Sequence, residues 1–146
     1  MEPTITLKVF QTLPIVIKAL KNPRSSRSIL DYICACDTSN PKMRELLNTE
    51  EKVEPLLKIW FASGRALDDL CQPFAKVVRE LKNDPPTLTG REWDTVDGQV
   101  AKVFLADQLS RSCFRGTPEA FSFDAVGRGL VRELVKDDNI KDTLDN

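Results

Sequence analysis

The sequence contains no histidine. That removes the side chain that most often acts as a general base near neutral pH, and with it the commonest zinc ligand. Nor is there an excess of one charge. The net charge of −1 gives no overall basic field of the kind that binds nucleic acid, and aromatic residues are not interleaved with the basic ones. Cys34, Cys36, Cys71 and Cys113 are the whole thiol complement. Cys-Ala-Cys is neither a thioredoxin-like nor a zinc-knuckle spacing, and no second pair answers it, so reduced and mostly buried thiols are expected, with no metal and no cofactor. Long apolar runs are missing too. "TITLKVFQTLPIVIKAL" (Thr4–Leu20) is broken by Lys8, Pro14 and Lys18, which excludes a membrane span. The serines are no better placed for catalysis, since Ser110 and Ser112 lack a nucleophile elbow.

What is present is ordinary globular material: 146 residues, 41% hydrophobic and 29% charged, enough for one domain with a single core. The charge is uneven. Residues 1–30 carry five Lys/Arg against Glu2, a surplus of +4 that leaves −5 for the rest. This acid-poor start, followed by "NPRSSRS", shares features with a mitochondrial presequence. An amphipathic first helix in a cytoplasmic protein is the preferred expectation.

Prolines and glycines fall about one short helix apart, and no run alternates as a half-buried strand does. An all-α protein of stacked antiparallel helical hairpins is therefore expected. The pattern predicts a helix over Thr4–Lys21 kinked at Pro14, one over Ile29–Asp37 capped by Ser28, and one entered through Asn40 and Pro41. A helix from near Val53 should bury Leu56, Leu57, Trp60 and Phe61 on one face before Gly64 ends it. Arg65–Lys82 should kink or restart at Pro73, "NDPPTLTG" (Asn83–Gly90) should be a loop, and long helices should cover Trp93–Cys113 and Pro118–Lys136. Three regions follow: an N-terminal helical extension (1–50), a helical core (51–137) and an acidic tail (138–146).

The last two helices meet across "DQLSRSCFRGTPEAFSFD" (Asp107–Asp124), with only "FRGT" between them. On a wheel of 100° per residue, Asp107 falls in the middle of an apolar arc with Val96, Val100, Val103, Phe104 and Phe114. A carboxylate there needs a partner. Arg111, four residues on, offers one, and a second from another helix is expected. Gly116 suits a left-handed helix end, and Thr117-Pro118-Glu119 suits a helix start. Asp124 borders the apolar arc of the second helix, with Arg128 four residues on, and Gly127 invites close approach of another backbone. Asp107, Arg111, Arg115 and Asp124 could form a salt-bridge cluster that fixes the hairpin, or the two arginines could hold an anionic ligand that the acids orient.

At these residues the chain resembles a bacterial family known as a domain of unknown function. Asp107-Gln108-x-x-Arg111, Phe114-Arg115-Gly116-Thr117 and Ala120-Phe121-x-x-Asp124 are similar to the family's Asp-Gln-Phe-x-Arg-Asn-x-aromatic-Arg-Gly-Thr and Ala-Phe-x-x-Asp signature. Ile59–Phe61 resembles its Phe-Trp-Phe, "LDDLCQPFAKVVREL" its second helix, and Trp93 its tryptophan before the long helix, so the likeness covers about residues 55–135. The resemblance implies an all-helical, tetratricopeptide-like arrangement. Leu109 and Ser112 depart from the signature. Full members also continue into histidine-bearing motifs that this sequence does not contain, so a shortened member is expected.

No catalytic constellation is complete. The first functional reading is a non-catalytic helical interaction module that meets a protein or peptide partner or a second copy of itself. The alternative is a binding site for a small anionic ligand, or an enzyme, built on Asp107, Gln108, Arg111, Arg115 and Asp124.

Overall fold

Prolines and cap residues cut the chain into short helices, and the computed structural model, which describes residues 6–136, places them accordingly. Every regular element among the described residues is helical. In order these are α1 (Leu7–Phe10), α2 (Pro14–Lys21), α3 (Ser26–Cys34), α4 (Pro41–Leu46), α5 (Glu50–Ala62), α6 (Arg65–Cys71), α7 (Ala75–Glu80), α8 (Val96–Phe104), α9 (Ser110–Phe114) and α10 (Asp124–Lys136). A 3₁₀ turn (Gln72–Phe74) joins α6 to α7, a π-helical turn (Leu105–Leu109) joins α8 to α9, and a 3₁₀ turn (Pro118–Phe121) precedes α10. The acidic tail 138–146 lies outside the described residues, as do Thr4 and Ile5 at the start of the first expected helix.

Several boundaries follow directly from local chemistry. Asn40 accepts from the backbone N–H of Lys42 and Met43, and Pro41 opens α4. Pro73, which has no N–H to donate, sits in the 3₁₀ turn that breaks α6 from α7. Gly64 and Gly116 take positive φ of 59° and 81°, where a Cβ would be strained.

Four expectations are corrected. The first helix is not kinked but divided, because Leu13 is extended (φ −63°, ψ 131°) and Pro14 starts a new helix. The cap of α3 is Ser25, which accepts from Ser28 N–H at 3.3 Å, and the helix stops at Cys34 because Ala35 is left-handed (φ 55°). Helix α5 begins at Glu50, ahead of Pro55. The bond this proline removes would go to Glu51 in the first turn, where its loss costs least. Finally, α5 buries Leu56, Ile59 and Trp60 but leaves Leu57 and Phe61 in solvent, Phe61 at 73% exposure. The helix lies at the rim, so only a narrow stripe of it meets the core.

That core runs through both the N-terminal helices and the later ones. Tyr32 on α3 is fully buried, with the rings of Phe10, Trp60 and Phe74 centred 5.3, 5.6 and 4.7 Å away. Its hydroxyl meets Cys71 Sγ at 3.1 Å, and Trp60 Nε1 donates to the Ile33 carbonyl. Helix α3 packs on α2 and α8, and α6 on α9, while α10 lies along α8 and the π turn.

Candidate functional site

Helix α8 starts at Thr95, whose hydroxyl accepts from Gly98 N–H at 2.9 Å. A Cβ at Gly98 would collide with the backbone of Glu92 and Trp93, so the glycine lets this start seat against the buried Trp93. The face of the α8–α9 path that turns inward carries Gly98, Ala101, Leu105, Ala106, Leu109 and Ser110. Most of these are small. Of the larger residues expected there, Val96, Val100, Val103 and Phe104 are half-buried, and Phe114 is buried.

Asp107 therefore does not lie in the middle of a buried apolar arc, and its side chain is 59% exposed. Two causes combine. Small side chains, which admit neighbours closely, carry the buried face, and the wide π turn at Leu105–Leu109 adds a residue that breaks the 100° phase. Ser110 supports that turn by donating to the carbonyls of Ala106 (2.7 Å) and Asp107 (3.0 Å).

Arg111 is the centre of the site. Its Nε is 3.6 Å from Asp107 Oδ1, its Nη2 donates to Asp124 Oδ1 on α10 at 3.2 Å, and its guanidinium lies 4.9 Å from the centre of the Phe121 ring. All three ionic side chains are more than a third exposed or close to it, so each pair contributes under about 1 kcal/mol. They set a direction more than they add stability. Asp124 meets Arg111 across the hairpin, while Arg128, its expected partner one turn along, is in no ion pair among the described residues.

Arg115 does not join this group. After α9 the chain turns extended at Arg115 and left-handed at Gly116, and Arg115 Nε reaches Asp68 Oδ2 on α6 at 2.7 Å. Asp68 is buried, and its other oxygen has no hydrogen-bond partner. Gln72 ties the same spot by donating to the carbonyls of Asp68 and Cys113. Thr117 does not cap the next helix with its side chain; its hydroxyl donates to the Phe114 carbonyl at 2.6 Å. The corner is held from α7 instead. Arg79 pairs with Glu119 at 2.8 Å and lies over Phe114, and Lys82 lies over Phe123. Gln108 faces away, into a groove of about 240 Å³ with Leu56, Trp60 and Phe104.

Between the α8–π path and α10 lies an open groove of about 580 Å³. Val103, Ala106, Asp107 and Arg111 line one wall; Asp124, Gly127, Arg128, Val131 and Arg132 line the other. A Cβ on Gly127 would come within 3.3 Å of the Ala106 methyl, so these two small residues set how closely the walls approach. Of the five residues the sequence offered, the structure brings together Asp107, Arg111 and Asp124 here. Arg132 escaped the sequence reading, although like charges one turn apart at 128 and 132 were a visible signal.

The thiols stay out of this groove. Burial pushes Cys71, Cys113 and Cys34 up to about 12, far from a thiolate at neutral pH, and all four cysteines are unpaired. Among the described residues no cluster of Cys, Asp and Glu could hold a metal ion, and no helix is long and apolar enough to cross a membrane. A family model described as a bacterial protein of unknown function (DUF924) matches residues 47–145. No curated protein and no solved structure matches the chain.

Proposed function

The chain belongs to that bacterial family of unknown function, and from this starting point we propose that it is a non-catalytic helical binding protein whose groove along α10 takes an anionic ligand. The observation that carries the reading is the lining. Three guanidiniums and two carboxylates surround a mainly apolar floor, with a volume within the range of small-molecule sites, roughly 300–1,000 Å³. Both carboxylates are turned onto Arg111, which occupies the groups that acid–base chemistry would need. Arginine forks suit carboxylate or phosphate. A tetratricopeptide-like stack in a reducing, cytoplasmic setting belongs to the same proposal. The test is thermal melting against matched anionic and neutral compounds. Anions should raise the melting temperature of the native chain and of Arg65→Ala, but not of Arg128→Ala/Arg132→Ala. Equal shifts with neutral compounds, or shifts that survive in the double variant, would sink the reading.

A second reading, a protein partner, is favoured by one separate observation. Leu57 on α5 is 48% exposed and lines the smaller apolar groove, and Phe61, four residues on, is 73% exposed. A photo-crosslinker at position 61 should then capture one reproducible species. Light scattering would tell a second copy from a different protein.

A further inference from the structure

We infer that Arg128 and Arg132 form the seat for the phosphoryl group of a small organic phosphate monoester, an assignment that rests on the anion-binding reading above. The arginines of the chain fall into two groups. Arg24, Arg27, Arg44, Arg79, Arg111 and Arg115 each meet a carboxylate within 4.0 Å. Arg128 and Arg132 meet none among the described residues, yet they stand one helical turn apart on the wall of the groove along α10. Like charges at that spacing repel, and among the described residues no carboxylate of α8 or α10 comes within 4.0 Å of either. Among the described residues the other two arginines without a carboxylate partner, Arg65 and Arg91, do not line this groove.

Charge is unevenly distributed along the groove. Arg111 is shared by Asp107 and Asp124, so that end carries a net −1. The Arg128/Arg132 end carries +2. A carboxylate or sulfonate carries a single negative charge and leaves one of the two positive charges uncompensated. A phosphate monoester is mostly a dianion at pH 7, its second pKa lying near about 6, and offers three oxygens to two forks. The acidic end repels a second phosphate, which disfavours diphosphates and nucleic-acid backbones. Val103, Ala106 and Val131 between the two ends accept an organic body.

The experiment is calorimetric titration of the full chain with phenyl phosphate, benzenesulfonate and a short phosphotyrosine peptide. Phenyl phosphate should bind about tenfold more tightly than benzenesulfonate at pH 7.5, since the second charge engages the second guanidinium. The advantage should vanish at pH 5, where the phosphoryl group is a monoanion, and in Arg128→Gln or Arg132→Gln. Both arginines are exposed, and the comparison of the two probes on the native chain needs no variant at all. Equal affinity for the two probes, lost in both variants, would overturn the dianion seat while leaving the anion groove standing. No binding of either would overturn both. A peptide that binds more than about tenfold better than phenyl phosphate would overturn the assignment to a small molecule.

Discussion

At Gly98 an added methyl group would run into the Glu92 carbonyl and lie 2.6 Å from Trp93 backbone atoms, whereas at Gly129 it would meet nothing within 4 Å. The two glycines should respond oppositely to the same change. Gly98→Ala is expected to destabilise by about 1–3 kcal/mol, since rigid backbone must shift. Gly129→Ala should stabilise by about 0.4–1 kcal/mol, because an open helical site gains from a less flexible unfolded chain. Urea midpoints of the two variants check both signs. The Arg115–Asp68 pair has its own asymmetry. Asp68 is buried with one oxygen unpartnered, and the Arg115 side chain is 56% exposed. Arg115→Ala strands a buried carboxylate and should cost about 3 kcal/mol, whereas Asp68→Asn leaves a cation that water can solvate and should cost clearly less. Equal losses in chemical denaturation would mean that Asp68 is not the strained partner.

Helix α10 has no buried residue: Val126, Leu130 and Leu134 are half-buried, and Val131 and Val135 are exposed. It is the least anchored long helix, so its amides should exchange with deuterium well before those of α3, whose residues are mostly buried. Comparable protection in both would contradict this ordering. The elements also mark where sequence reasoning works. Residues with one dominant backbone preference were readable: Asn40–Pro41 as a helix start, Pro73 as a break, Gly64 as a helix end and Gly116 as a left-handed end. The phase of the α8–α9 path was not. A helical wheel assumes uniform rotation and ranks large apolar side chains, but the π turn breaks the rotation, and Gly98, Ala101 and Ala106 share the buried face with Leu105 and Leu109. Asp107 was misplaced for that reason. The cross-hairpin meeting of Arg111 with Asp124 was legible because the short corner fixes which helix faces which. The attachment of Arg115 to Asp68 was not, since it depends on a helix more than forty residues earlier.

Over the whole molecule, charge and burial set the pH range of stability. The hydrogen bond from Arg44 holds the Asp97 carboxyl below its ordinary value, and Arg79 does the same for Glu119. Such groups stabilise the folded state above the ordinary carboxylate range, and that contribution is lost as pH falls below about 4. The buried thiols act at the other end. Cys34, Cys71 and Cys113 titrate near about 12 when folded and near about 8.5 when unfolded, so the unfolded chain loses protons first. Each should remove about 1.4 kcal/mol of stability per pH unit above that lower value. Denaturation curves from pH 3 to 10 should give a plateau between about pH 5 and 8 with falls on both sides. A stability that keeps rising above pH 9 would contradict the burial of the thiols.

The central claim is that α10 and the α8–α9 path enclose an anion site with Arg128 and Arg132 at one end. NMR of the arginine Nε–Hε groups during titration with phenyl phosphate tests it most directly. The account predicts saturable shifts at Arg128 and Arg132, a smaller one at Arg111, and none at Arg115, which is held by Asp68. Uniform shifts across all arginines, or shifts confined to residues outside the groove, would contradict it.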